Sequence, residues 1–167
     1  MRDRLTKSDV KKIEDEIEYR RVKLREQLLA DVKEARAHGD LSENFEYHAA
    51  KREKNRNDSR IRYLERMLKN AEIIDDSSKE DEVGINNTVT IYFEEDKEEE
   101  KYKLVTSVRT DSLNGLISIE SPLGKAILGH KEGDRVFVEL SENNGYYIVI
   151  KEIDNSTDDS EDRISRY

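Results

Sequence analysis

Residues 35–51 read Ala-Arg-Ala-His-Gly-Asp-Leu-Ser-Glu-Asn-Phe-Glu-Tyr-His-Ala-Ala-Lys, and Gly39 within them is the one glycine of the first 74 residues. That first stretch also lacks proline, because the chain's single proline is Pro122. Nothing before residue 75 therefore interrupts a helix except Gly39. The simplest reading is two long helices around one turn. A connection as short as His38-Gly39-Asp40 makes them lie antiparallel as a hairpin.

The flanking sequence supports both arms. Upstream, Leu5-Thr6-Lys7-Ser8-Asp9 has the form of a capping box, with Thr6 accepting from a first-turn amide, Asp9 bonding back, and Leu5 with Val10 able to staple the entry. Val10, Ile13, Ile17, Leu24, Leu28 and Val32 then recur at spacings of three, four or seven, which is a coiled-coil seam. Downstream, Ile61, Leu64, Leu68 and Ala71 continue the pattern. About 30 residues per arm at about 1.5 Å each predict a rod on the order of 45 Å long. Lys51–Arg60 contains no apolar residue, so packing there has to come from aliphatic stems or polar pairs.

Composition agrees with an elongated partner to a small domain. Of 167 residues 34% are hydrophobic and 41% charged, too few apolar side chains for one large core. The absence of Cys removes disulfides, thiolate metal sites and cysteine nucleophiles. No apolar run is long enough for a membrane span, and the expectation is a cytoplasmic chain with no membrane partner, acting as a monomer. The net charge of −9 hides an asymmetry: residues 1–74 carry 19 Lys and Arg against 16 Asp and Glu, whereas residues 75–167 carry 11 against 23. Two modules with different electrostatic partners are implied.

The second module begins after an acidic polar linker, residues 75–82. Val89, Ile91 and Phe93 alternate with polar residues as a half-buried strand does, and residues 102–108, 116–119, 135–140 and 146–153 are further strand candidates. Asn114-Gly115 and Asn144-Gly145 are turn pairs, and the acidic run 94–100 reads as a solvated hairpin tip. Ser121-Pro122 starts a short helix through residues 125–128, closed by Gly129. The fold class is therefore α+β: an N-terminal antiparallel α-helical hairpin over 1–74, a linker over 75–82, and a small antiparallel β domain with one short helix over 83–153. The acidic tail 154–167 is expected to be disordered.

Function is concentrated at the turn. Asp40 and Glu43 have two readings. In the first, Asp40 is the N-cap of the second helix and Glu43 its N3 partner. In the second, the two carboxylates help hold Mg²⁺, a hard ion usually bound by one or two protein carboxylates with waters and phosphates completing the shell. Two ligands hold such an ion poorly, so a partner has to supply the rest.

Residues 39–44, Gly-Asp-Leu-Ser-Glu-Asn, followed by Glu46-Tyr47-His48-Ala49-Ala50-Lys51, closely resemble the tip signature of the bacterial Gre transcript-cleavage factors of the GreA type. Residues 70–75 resemble the end of that family's hairpin. Ser121-Pro122-Leu123-Gly124-Lys125-Ala126 resembles the signature of its FKBP-like C-terminal domain. The resemblance covers all but the tail. It implies that the C-terminal domain docks at the rim of the secondary channel of RNA polymerase, with Glu120, Ser121 and Pro122 facing that rim. It further implies that the hairpin reaches the active centre, where Asp40 and Glu43 act as the catalytic acidic pair and hold a shared Mg²⁺ beside the polymerase's own carboxylates. The factor would bring no cofactor of its own. It would be an accessory that accelerates the polymerase's cleavage of the backtracked 3′ end of the nascent RNA.

Basic residues near the turn suit an anionic RNA end: Arg36, Lys51 and Arg52 are the contact candidates. Tyr47 either stacks on a base or packs within the hairpin. His38 and His48 are not assigned to the metal. Phe45, Arg56 and Asn57 depart from the family pattern, the last two at apolar seam positions. The alternative function is a regulator that enters the same channel and blocks it without cleavage. A prolyl isomerase is a third reading, poorly served by a chain with no Trp and three Phe.

Overall fold

A computed structural model describes residues 2–39 and 44–166. The residues from Val10 to Ala71 form one unit. Those up to Asp9, together with those from Glu72 onward, form the other. The division differs from the expected boundary at residue 74, because the start of the chain belongs with its second half.

In the hairpin unit, α1 (Lys7–Tyr19) and α2 (Arg25–Arg36) are joined without a break by one wide π-helical turn, Arg20–Leu24, and α3 (Phe45–Lys69) returns alongside. Their partners descend along α3 as they ascend along the first arm: Arg60 bonds Glu16 at 2.9 Å, Asn57 bonds Arg20, and Asn44 bonds Ala35. This is the antiparallel pairing expected. Ile13, Ile17, Ile61, Leu64 and Met67 are buried between the arms.

Polar pairs fill the stretch that lacks apolar residues. Asn57, only 3% exposed, donates through Nδ2 to the Arg20 carbonyl at 3.0 Å and accepts from Arg20 Nη1 at 3.1 Å. The same Arg20 carbonyl accepts from the amide of Arg25, five residues on, which is the bond that defines the wide turn. Glu16 bridges Arg20 at 2.8 Å and Arg60 at 2.9 Å. Asn57 thus takes a seam position by hydrogen bonding, whereas its neighbour Arg56 is exposed and pairs with Glu53 at 2.6 Å.

The other unit is built on a five-stranded sheet of order β5-β4-β3-β7-β6: β3 (Thr88–Phe93), β4 (Glu98–Val105), β5 (Leu116–Ser118), β6 (Arg135–Ser141) and β7 (Asn144–Asp154). Three of its pairings are antiparallel, but β4 and β5 run parallel, so the sheet is antiparallel-rich rather than wholly antiparallel. The alternation read from sequence holds: Val89 and Ile91 of β3, Val136 and Val138 of β6, and Ile148 and Ile150 of β7 face a buried cluster that also takes in Leu104, Ile119 and Ile127. The short helix α4 (Pro122–Ile127) contributes Ile127 to this core.

Three local expectations change. Glu98, Glu99 and Glu100 are strand residues, paired with Phe93, Tyr92 and Ile91, so the acidic tip shrinks to residues 94–97. The strand expected to run to Val108 stops at Val105, and Ser107–Arg109 form a 3₁₀ turn. At Asn144-Gly145 the left-handed residue is instead Asn143, with φ 59°. Gly145 lies inside β7, where a side chain would come within 2.1 Å of the Val138 carbonyl; the glycine serves close strand approach, not the turn.

Both chain ends close onto this unit. A two-residue strand β1 (Arg4–Leu5) pairs in parallel with β2 (Glu72–Ile73), and Leu5 is fully buried. Both bonds of the predicted capping box form, from the Asp9 amide to Thr6 Oγ1 at 3.1 Å and from the Thr6 amide to Asp9 Oδ2 at 3.0 Å. The tail, expected to be disordered, follows a defined path: the Ser165 amide donates to the Val108 carbonyl at 2.7 Å, and Lys103 Nζ reaches both oxygens of Asp162 at 2.9 and 3.0 Å. Composition alone treats acidic residues as solvated. Here one of them finds buried cations.

Candidate functional site

The hairpin end is built by caps. The amide of Ala37 closes α2 on the carbonyls of Lys33 and Glu34, at 3.2 and 3.1 Å, and the His38 amide bonds the Ala35 carbonyl at 3.2 Å. On the far side the N-cap of α3 is Asn44, whose Oδ1 accepts from the Tyr47 amide at 3.0 Å. Its Nδ2 donates to the Ala35 carbonyl at 2.6 Å and so ties the end of one helix to the start of the next. This corrects the capping reading of the acidic pair: α3 begins at Phe45, Asn44 holds the cap, and Asp40 and Glu43 both precede it. Asp40 and Glu43 themselves lie outside the described residues, as does the end of the His38-Gly39-Asp40 turn.

Behind the cap stands a basic assembly. Tyr47 is 9% exposed, which is the packing reading, and its ring lies 5.6 Å from the Arg36 guanidinium and 6.0 Å from Lys51 Nζ. The hydrogen bond from Arg36, followed by the charge of Lys51, holds the Tyr47 hydroxyl below its ordinary pKa range. Arg36, Lys51, Lys33 and Lys54 line a groove of about 530 Å³ together with Tyr47. Sequence reasoning named Arg36 and Lys51 but missed Lys33 and Lys54, whose i, i+3 spacing to those two was the available signal. Arg52 is exposed on α3 outside the groove lining, and Phe45 is exposed.

The second candidate group, Glu120-Ser121-Pro122, is a rigid loop in the sheet unit. Ser121 is the N-cap of α4, accepting from the Gly124 amide at 3.0 Å, and Pro122 occupies the first turn. Ser121 Oγ donates to the Ser118 carbonyl at 2.6 Å, and the Glu120 amide donates to Ser118 Oγ at 2.9 Å. Gly124 is required here, since a Cβ would meet the Ser118 carbonyl oxygen at 1.9 Å. Arg4 Nε pairs with Glu120 Oε1 at 2.6 Å, a contact across 116 residues that no local pattern reveals. Beside the loop, Pro122, Lys125, Phe137 and Leu140 border a groove of about 550 Å³.

Among the described residues no group of three or more His, Asp or Glu is placed to hold a metal ion. No described helix is long and apolar enough to cross a membrane.

Residues 4–73 match the family model described as "Transcription elongation factor, N-terminal", and residues 78–155 match "Transcription elongation factor, GreA/GreB, C-term". The transcription elongation factor GreA of Thermoanaerobacter pseudethanolicus is 48% identical over 81% of this chain and 87% of its own. The chain belongs to the GreA/GreB transcription elongation factor family. The GreA of Chloroherpeton thalassium is 42% identical over 87% of this chain and 93% of its own. Among solved structures, GreA factor homolog 1 of Thermus thermophilus is similar over 92% of this chain and 99% of its own, at 26% identity and a TM-score of 0.43. The two family matches fall on the two parts of the chain, residues 4–73 taking in the helical hairpin and residues 78–155 the five-stranded sheet.

Proposed function

We propose that this chain is a cleavage-stimulating accessory factor of RNA polymerase, working in the cytoplasm as a monomer and supplying residues to the polymerase's active centre rather than an active site of its own. The relatives' common name carries the elongation role. One observation carries the finer reading. The N-cap position of α3 is held by Asn44, so the cap bond to the Tyr47 amide calls on neither Asp40 nor Glu43.

Two carboxylates are hard oxygen donors of the kind Mg²⁺ takes, and they are fewer than its shell requires, which fits an ion completed by a partner's ligands. When shared in this way, the ion would generate the attacking hydroxide and stabilise the leaving oxygen of a phosphodiester. The chain's own residues have the remaining tasks. Asp40 and Glu43 hold negative oxygens at the hairpin end. Arg36, Lys51 and, further along, Arg52 offer charge to the phosphates of a displaced RNA 3′ end, with Tyr47 positioning the first two. The sheet unit, read as FKBP-like, presents the Glu120-Ser121-Pro122 loop to the rim of the secondary channel, where the stiffness of the loop lowers the cost of ordering it on binding.

The test is cleavage of a backtracked transcript. Wild-type protein shortens the RNA and permits elongation to resume. Asp40→Ala keeps polymerase binding but loses more activity than the roughly 10–100-fold that follows loss of a ligand's supporting partner. Full activity in that variant refutes the assignment, and inhibition of nucleotide addition without RNA shortening selects the blocking regulator instead.

A further inference from the structure

We propose that the sheet unit carries a carboxylate-binding site, made by Lys103 and Arg109, whose ligand is the chain's own C-terminal segment, residues 156–166, bound in cis. This segment lies beyond the match to the family's C-terminal model, which ends at residue 155. Its part in the molecule is therefore not given by the family's shared architecture.

The site is built from buried charge. Arg109 is fully buried; its Nε donates to Asp9 Oδ1 at 2.5 Å, and its Nη1 donates to Asn86 Oδ1 at 2.8 Å and to Asp162 Oδ2 at 2.7 Å. Lys103, whose side chain is 15% exposed, grips both oxygens of Asp162, whose side chain is 6% exposed. Asp162 thus adds a second carboxylate, shared between Lys103 and Arg109, to the one that Asp9 gives Arg109. Exposed ion pairs contribute little, but a buried cation stripped of its partner is costly, so the docked tail is favoured wherever Lys103 and Arg109 stay dry.

Main-chain and hydroxyl contacts give the bound segment a direction. Thr157 contacts the Asn86 carbonyl and accepts from Thr88 Oγ1 at 3.2 Å; Lys103 Nζ also reaches the Asp158 carbonyl; and the Ser165 amide closes on the Val108 carbonyl at 2.7 Å. This is recognition of an acidic peptide at several points, not one stray pair. It bears on the helix start as well. The guanidinium that holds Asp162 also holds Asp9, which accepts from Thr106 Oγ1 at 2.7 Å and caps the first turn of α1. An occupied site clasps that first turn to the 3₁₀ turn at Ser107–Arg109.

The inference does not depend on the polymerase reading and is tested on the isolated full chain by amide hydrogen exchange. The Ser165 amide is expected to be protected, independently of protein concentration. Asp162→Asn is expected to cut that protection by about tenfold or more while leaving the Ile150 amide unchanged, because a charge-assisted bond is lost without disturbing the sheet. Exchange of Ser165 at the rate of an unstructured peptide, or protection unaltered by Asp162→Asn, overturns the proposal. Protection that rises with protein concentration overturns binding in cis and points to a second copy's tail. As an independent arm, a chain ending at Asn155 and shown folded by circular dichroism should bind the synthetic peptide 156–167 one to one. Binding should weaken with added salt and be lost when the peptide carries Asn in place of Asp162. Failure of that peptide to bind the folded shortened chain likewise counts against the site.

Discussion

The hairpin and the sheet unit both bury charged side chains, but for different ends. In the hairpin, Glu16, Arg20, Asn57 and Arg60 form a polar layer where a seam would otherwise be apolar, and they meet across two helices that have few alternatives for alignment. In the sheet unit, Val89, Ile91, Ile148 and Ile150 provide an apolar core, and the Asp9–Arg109 pair stands as a separate fastening between distant parts of the chain. The polar layer fixes register, since each bond is lost if an arm slips by a residue. The buried pair fixes topology, since its partners lie 100 residues apart.

If that contrast is right, the largest effect should come from the fastening. Arg109→Leu leaves Asp9 buried without its guanidinium and is expected to cost about 3–5 kcal/mol in urea-induced unfolding of the sheet unit. A loss under about 1 kcal/mol would mean water reaches the pair and that it fastens nothing. Next comes the hairpin layer: Arg60→Ala should cost about 1.5–3 kcal/mol, read from helix melting, because Glu16 retains Arg20 and is partly reachable by solvent.

Acid should separate the two regions too. Burial raises the Glu16 pKa, but the hydrogen bonds and charges of Arg60 and Arg20 outweigh it and hold the carboxyl below its ordinary 4.5. A group depressed in the folded state stabilises fully above its unfolded value, and that contribution fades as pH falls through the lower folded value. The hairpin should thus weaken as pH drops below about 4.5, and Glu16→Gln should flatten this dependence; a hairpin indifferent to acid would remove Glu16 from the layer. Smaller still is the cap. Asn44→Ala is expected to cost about 1 kcal/mol and to fray the first turn of α3. The finest probe is spectroscopic: by ultraviolet titration Tyr47 should ionise below 10. Tyr102, raised to about 12 by its burial and then by its bond to Glu100, should ionise after Tyr47.

The two regions also differ in how far sequence reveals them. The Thr6–Asp9 capping box and the alternation of β3 were readable because they are local, with periods of a few residues that physics sets directly. Asp9's second role was not readable, because nothing near it points to Arg109. The cap of α3 shows the other limit: Asp and Asn are both good caps, and local pattern does not say that Asn44 would hold the cap and also bridge to Ala35 in the opposite arm. The polar stretch 51–60 announced that something unusual filled the seam, but not that Asn57 would reach the main chain of Arg20. The tail was misjudged because composition counts charges without knowing which cations they meet, and the acidic strand because exposed glutamates leave the main chain free to pair with β3.

The wide turn at Arg20–Leu24 has a consequence for chain length. The half-buried residues Arg20, Leu24, Leu28 and Val32 follow one another at intervals of four, which outruns a helix of 3.6 residues per turn and would carry the inward face gradually around the cylinder. The π-helical turn takes up the surplus residue, as a leap day keeps a calendar in step. A one-residue deletion at exposed Val22 should therefore be absorbed by relaxing that turn to ordinary helix, whereas the same deletion elsewhere in either arm would swing the face beyond it by about 100°.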